Sequence, residues 1–174
     1  MNVLAVDQAK SGAWSVFDSK TLELVDYGTF TFDTKKYTYA KTILFIEEII
    51  ASVIKAYDIG FVMIEDIQLR KNTQTFKKLA QLQGVLINLC ERNKLLYGIA
   101  APSQWQNYCR ARGRNTEEIK NQVTSIPVTG KKESKILSVQ FVLDRFGIET
   151  ENDNLADAIC IGYYTVNNVE IPKK

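Results

Sequence analysis

The alternation of apolar and polar positions changes period several times along the chain, and each change marks an element. Val3, Leu4, Ala5 and Val6 form a short unbroken apolar run that ends in Asp7. A run this short without alternation fits a strand buried on both faces, so residues 2–7 are expected to form the first strand. Residues 8–12 are a polar turn. Residues 13–19 and 22–32 read as two more strands, with Asp18, Ser19, Lys20 and Thr21 as a hairpin connection. From 36 to 57 the period lengthens, and Tyr39, Ile43, Ile46, Ile50, Val53 and Tyr57 recur at the three- and four-residue steps of an amphipathic helix. Residues 60–66 repeat the first device, with Val62, Met63 and Ile64 leading into Glu65. Leu79, Leu82, Leu86 and Leu89 then place a helix over 73–92, and 94–100 reads as a fifth strand.

Pro102 opens another helix, with Ser103 and Gln106 at capping-box spacing, expected to run to about residue 112. Residues 113–132 carry a weaker pattern, read as a short helix near 116–123 and a loop through Pro127 and Gly130. Two helices follow, over 133–146 with Gly147 as C-cap, and over 154–167 with Leu155, Ile159, Gly162 and Val166 toward the core. The expected fold is α/β, one domain over residues 1–174. Its five-stranded mixed sheet has three antiparallel strands, then two parallel ones, flanked by helices.

This order has a chemical consequence. A helical crossover between the third and fourth strands lets the fourth lie parallel to the first. Asp7 and Glu65 then stand side by side at the carboxyl edge of the sheet, where α/β proteins bind ligands. On the last helix Asp153 and Asp157 are four residues apart and share a face near the N-terminus, where the helix dipole favours negative charge. Asn154, three before Asp157, also points that way. Asp66 alternates to the other face of its strand and is set aside. Three distant segments thus offer acid at the edge of an apolar element, the pattern of a carboxylate cluster for a divalent metal. Taken singly, each acid also reads as a solvated carboxylate, and Asp153 as a helix cap.

Composition narrows the chemistry. Among 174 residues there is no histidine, which excludes Ser-His-Asp and Cys-His catalysis and the usual zinc spacings. Cys90, Cys109 and Cys160 are odd in number and widely spaced, the usage of reduced thiols in an intracellular, cytoplasmic protein. No apolar run approaches a membrane span, and no basic segment precedes the first apolar run, so neither a membrane partner nor a signal peptide is expected. The net charge of +2 conceals a division. Residues 67–135 hold 13 Lys and Arg against 4 Asp and Glu, a local +9, while the remainder holds 9 against 16, or −7. A basic middle framed by acidic ends suits a chain that grips phosphates while holding metal.

The element order and acid placement resemble the ribonuclease H-like nucleases, and among them the RuvC-type Holliday-junction resolvases, in a small, phage-like form. The residues that carry the resemblance are Val3–Asp7, Val62–Glu65, Thr75–Gly84 and the stretch Asn152-Asp153-Asn154-Leu155-Ala156-Asp157-Ala158-Ile159. The turn after Asp7 departs from the family's longer loop, and residues 110–129 match none of its motifs.

The resemblance implies a divalent-metal endodeoxyribonuclease that resolves four-way junctions by paired symmetric nicks. Mg²⁺, with Mn²⁺ as substitute, would occupy two positions per site, roughly 4 Å apart, bound by hard oxygen ligands. Asp7 would bridge the ions and Glu65 would bind one of them. Asp157 with Asp153 would serve the other side, Asn154 competing with Asp153 for that place. Arg70, Lys71, Lys77 and Lys78, then Arg110, Arg112 and Arg114, then Lys131, Lys132 and Lys135 would contact DNA phosphates. A homodimer with one site per subunit would match the junction's symmetry, and the apolar stripe over 73–92 is one candidate interface. If the chain is phage-encoded, it would act in the host cytoplasm. The same carboxylates would also suit a nuclease for RNA–DNA hybrids or flapped duplexes, or persist in a non-catalytic DNA-binding relative. An actin-like ATPase would need a second domain and glycine-rich phosphate loops, for which 9 glycines leave little provision.

Overall fold

β1 (Asn2–Asp7) lies at the centre of a five-stranded sheet ordered β3-β2-β1-β4-β5. The computed structural model describes residues 1–33, 35–69, 72–111 and 136–172. β2 (Ser11–Asp18) and β3 (Leu24–Thr31) extend the sheet antiparallel on one side of β1. β4 (Ile59–Glu65) and β5 (Leu96–Ala100) extend it parallel on the other. The mixed sheet expected from the sequence is therefore present. Its hairpin closes where Asp18 Oδ1 accepts from the backbone N–H groups of Lys20 and Thr21 at 2.6 and 3.0 Å.

Five helices complete the described residues: α1 (Tyr39–Ala56), α2 (Thr73–Arg92), α3 (Pro102–Tyr108), α4 (Ile136–Phe146) and α5 (Asp153–Asn168). Strand alternation divides them between the two faces of the sheet. Leu4, Val6, Val16, Val62 and Ile64 pack with Ile46 and Ile50 of α1 and with Leu82, Leu86 and Leu89 of α2. Val3, Ala5, Ala13, Phe17, Phe61 and Met63 pack with Trp105 of α3, Val142 of α4 and Ala156, Ala158 and Ile159 of α5. Three leucines of the α2 stripe, Leu82, Leu86 and Leu89, are thereby spent on the core.

Several boundaries differ from the expectation, each for a local reason. α1 starts at Tyr39 rather than 36, because the Thr38 hydroxyl accepts from the backbone N–H of Lys41 and caps the helix there. β5 starts at Leu96 rather than 94, after Lys94 takes a left-handed φ of 54°. α3 ends at Tyr108, well short of residue 112, and Arg110 beyond it has a φ of 53°. Its capping pair is also displaced: Gln104 Oε1 accepts from the Ala101 N–H at 2.9 Å, where Ser103 and Gln106 were expected. α5 is capped by Asn152, whose Oδ1 accepts from the N–H groups of Asn154 and Leu155 at 3.0 and 3.2 Å. Asp153 is therefore a first-turn residue and not the cap. Gly147 does terminate α4, with φ 68° and its N–H donating to the Leu143 carbonyl. The short helix expected near 116–123 and the first residues expected for the 133–146 helix lie outside the described residues.

One close approach fixes α5 over the sheet. A Cβ added at Gly162 would stand 2.6 Å from both the Phe17 ring and Ser15 Oγ. The hydroxyl of Ser15, itself fully buried, donates to the Ala158 carbonyl at 2.8 Å. Small residues along this face let the helix descend onto β1 and β2, and its N-terminal turn comes to rest beside the carboxyl end of β1.

Candidate active site

The same alternation that sorts the core also aims the acids. Asp7 follows Val3 and Ala5 in parity, and Glu65 follows Phe61 and Met63, so both belong to the face covered by α5. The parallel register pairs Val6 with Ile64, which leaves Asp7 and Glu65 as the next residues of adjacent strands. Asn154 and Asp157 reach the same place from the first turns of α5. All four line one cleft of about 390 Å³, together with Gln8, Asp66, Asn72, Thr75, Phe76, Pro102 and Gln106. Asn154 lines it and Asp153 does not. The Asn154 Nδ2 donates to the Ser11 carbonyl at 3.0 Å, tying α5 to the start of β2.

Glu65 is the most elaborately held of these residues. Gln8 Nε2 and Gln83 Nε2 both donate to its main-chain carbonyl, at 2.8 and 3.2 Å. Its carboxylate Oε1 accepts from the indole Nε1–H of Trp105 at 3.0 Å. Gln8 is 4% exposed, and its Oε1 is a buried acceptor with no protein partner. The Gln8 amide has little choice of orientation, because a carbonyl must be met by the amide's donor end. Asp7 is nearly as buried, at 7% exposure. On α5 the Cys160 thiol lies one turn beyond Asp157. Burial pushes its pKa well up, with Cys109 and the negative charge of Asp157 acting in the same direction.

Four acids, Asp7, Glu65, Asp66 and Asp157, face this cleft, and no Lys or Arg lines it among the described residues. A concentration of negative potential of this kind attracts a divalent cation, and carboxylate and amide oxygens are the donors that hard cations take. The donor set fits such an ion. Among the described residues, no three His, Cys, Asp or Glu side chains are already gathered into a metal cluster. The carboxylates share one cleft.

The remaining expected contacts divide by location. Lys77 and Lys78 are exposed on α2, next to the cleft-lining Thr75, Phe76 and Leu79. Lys78 Nζ lies 5.4 Å from the centre of the Tyr39 ring, and the Tyr39 hydroxyl donates to the Lys78 carbonyl. Arg110 is exposed just beyond α3. Arg70, Lys71, Arg112, Arg114, Lys131, Lys132 and Lys135 lie outside the described residues. Trp105 is buried in the core, while Tyr108 is 40% exposed and packs on Tyr163 and Tyr164. Asp66 corrects the sequence reading. Strand β4 ends at Glu65, so alternation no longer governs the next residue, and Asp66 turns into the cleft with its Oδ1 accepting from the Ile67 N–H. Gln8, Gln83 and Trp105 carry no motif. Only the nearness of Gln8 and Trp105 to strand ends hints at a role.

Comparison with known proteins supplies the context. Residues 9–163 match the family model of crossover junction endodeoxyribonuclease RuvC. That span contains Glu65, Asn154 and Asp157 and begins just after Asp7. Among solved structures, the RuvC of Thermus thermophilus in complex with Holliday junction substrate is similar, with a TM-score of 0.70 at 12% identity over 94% of this chain and 92% of that one. The yeast mitochondrial Holliday junction resolvase Ydc2 has a TM-score of 0.61 at 12% identity, over 94% of this chain and 77% of its own. The fowlpox virus resolvase with its Holliday junction DNA gives 0.56 at 12% identity, over 97% and 99%. No curated protein sequence matches the chain. No helix among the described residues is long and apolar enough to cross a membrane.

Proposed function

The chain belongs to the RuvC family of crossover junction endodeoxyribonucleases, and we propose that its cleft cuts four-way DNA junctions by paired symmetric nicks. RuvC-family resolvases are divalent-metal-dependent nucleases. The observation that carries the reading is the convergence of Asp7, Glu65, Asn154 and Asp157, from β1, β4 and α5, on one cleft at the carboxyl edge of parallel strands. When bound there, Mg²⁺ or Mn²⁺ polarises the scissile phosphate and lowers the pKa of the attacking water. Asp7 from the central strand, Glu65 from β4 and Asp157 from α5 would hold the metal there. Asn154 joins Asp157 in place of Asp153, its amide held in orientation by the Ser11 carbonyl.

The chain's other residues position the DNA. Lys77 and Lys78 stand at the rim where α2 meets the cleft and contact backbone phosphates, giving affinity without sequence choice. Replacing either lysine by alanine should flatten the dependence of log affinity on log salt by about 1. Thr75 and Asn72, at the start of α2, offer uncharged donors to the same strand. A junction has approximate two-fold symmetry and needs two matched cuts, so a homodimer with one cleft per subunit is the functional unit. Sedimentation of the free protein and of its junction complex tests that stoichiometry.

The decisive experiment compares end-labelled substrates with and without Mg²⁺: a mobile four-way junction, a linear duplex, a flap and an RNA–DNA hybrid. Paired nicks placed symmetrically in the junction, and lost in Asp7→Asn, are expected. Preferential cleavage of the flap or hybrid would keep the carboxylates and discard the junction as substrate. Tight junction binding without cleavage in either metal would discard the nuclease.

A further inference from the structure

We infer that Trp105 is a positioning residue for the metal site, its indole N–H holding one oxygen of the Glu65 carboxylate and so setting the orientation of that group at the cleft. The inference rests on the metal reading above and adds a residue that does not line the cleft. The geometry is specific. Trp105 is 1% exposed, its ring is packed among the core residues of the α5 face, and its one polar atom lies 3.0 Å from Glu65 Oε1. An indole has a single donor and no acceptor, so the bond has only one polarity. A donor aimed at an ionised carboxylate makes a stronger, more directional bond than one between neutral groups.

The rest of the neighbourhood shows why such a device is needed. Glu65 is the last residue of β4, where the ladder ends and the chain turns away. Gln8 and Gln83 fix its main-chain carbonyl from two sides, which sets where the Cα sits. A glutamate side chain still has three rotatable bonds beyond that point, and Trp105 removes much of that freedom at the far end. α3 is therefore a bracket. Pro102 and Gln106 line the cleft, and Trp105, on the same short helix, reaches beneath it. Partners of this kind behind a metal ligand contribute about 10–100-fold in metal affinity or activity.

The test uses Trp105→Phe, which keeps an aromatic ring and deletes the donor. Mn²⁺ binding to the DNA-free protein, read by calorimetry, is expected to weaken about 10–100-fold. The Mg²⁺ concentration for half-maximal junction cleavage should rise in parallel, while junction affinity in EDTA stays unchanged. The chain has two tryptophans, so the wild type should give two indole N–H resonances, separable with Trp14→Phe. The Trp105 resonance is expected to move on Mg²⁺ addition and to move upfield in Glu65→Gln. If Trp105→Phe fails to fold, these wild-type and Glu65→Gln spectra decide the matter. Wild-type Mn²⁺ affinity in Trp105→Phe, or an indole signal indifferent to Glu65→Gln, would overturn this inference alone. A wild-type protein that binds no divalent cation would overturn the metal reading and the inference together.

Discussion

The two faces of the sheet are built from different materials. The face under α1 and α2 is filled by large aliphatics, Leu4, Ile46, Ile50, Leu82 and Leu86, packed around β1 and β4. The face under α5 mixes Phe17, Met63 and Ile159 with the small residues Ala5, Ala13, Ala156 and Ala158, and Gly162 lets α5 approach the Phe17 ring while Ser15 donates across the gap. Large side chains hold helices at a distance and supply most of the area removed from water. Small ones let a helix come near enough for its side chains to meet those of the strands. The chemistry stands on the second face, and the first contributes stability.

That contrast can be broken from either side. The largest effect should follow Asp7→Asn, Glu65→Gln or Asp157→Asn, each lowering the single-turnover cleavage rate by at least about 10²–10³-fold. The folded state should survive, as a melting midpoint close to wild type in EDTA would show. Leu86→Ala, on the other face, should do the reverse. It should cost about 2–5 kcal/mol in denaturant unfolding and leave the cleavage rate of the folded fraction close to wild type. Gly162→Val should disturb both properties, because a side chain there meets Phe17 and Ser15. A loss of about 1–3 kcal/mol is expected, with a fall in cleavage larger than stability alone explains. Mg²⁺ at a hundredfold over its dissociation constant should stabilise the wild type by about 2.7 kcal/mol, and Asp7→Asn by far less. Differential scanning fluorimetry with and without the ion reads that difference.

The smallest effect concerns the thiols. Burial, with help from the neighbouring Glu91 charge, pushes Cys90 up to about 11. Burial also holds Cys160 well above the ordinary thiol range. Raised values mean little thiolate at pH 8, so iodoacetamide should label neither residue in the native protein and both after denaturation, as mass spectrometry would show.

How much of this is legible in the chain alone follows the physics of each feature. Period and apolar runs report the five strands and the long helices, since burial acts on many residues at once and leaves a repeating mark. Asp7, Glu65 and Asp157 are legible because each interrupts or follows an apolar pattern that has no use for a charge. Asp66 escapes the alternation argument because it stands one residue past the end of β4, where backbone pairing no longer enforces it. That Asn154 and not Asp153 lines the cleft is not legible in the sequence, which does not show where the Asn152 cap starts α5. Gln8, Gln83 and Trp105 are invisible, because a hydrogen bond across 57, 18 or 40 residues leaves no local trace in a chain.

The placement of α5 also sets a timetable. Asp7 and Glu65 leave the ribosome before Asp157, which comes only with the helix that covers β1 and β2. Until that helix is made, Val3, Ala5, Ala13 and Phe17 have no cover and the cleft lacks one of its walls. A nascent or prematurely terminated chain thus carries two of the acids without the means to cut DNA. The cover over this face of the sheet and the last wall of the cleft therefore arrive together, with α5.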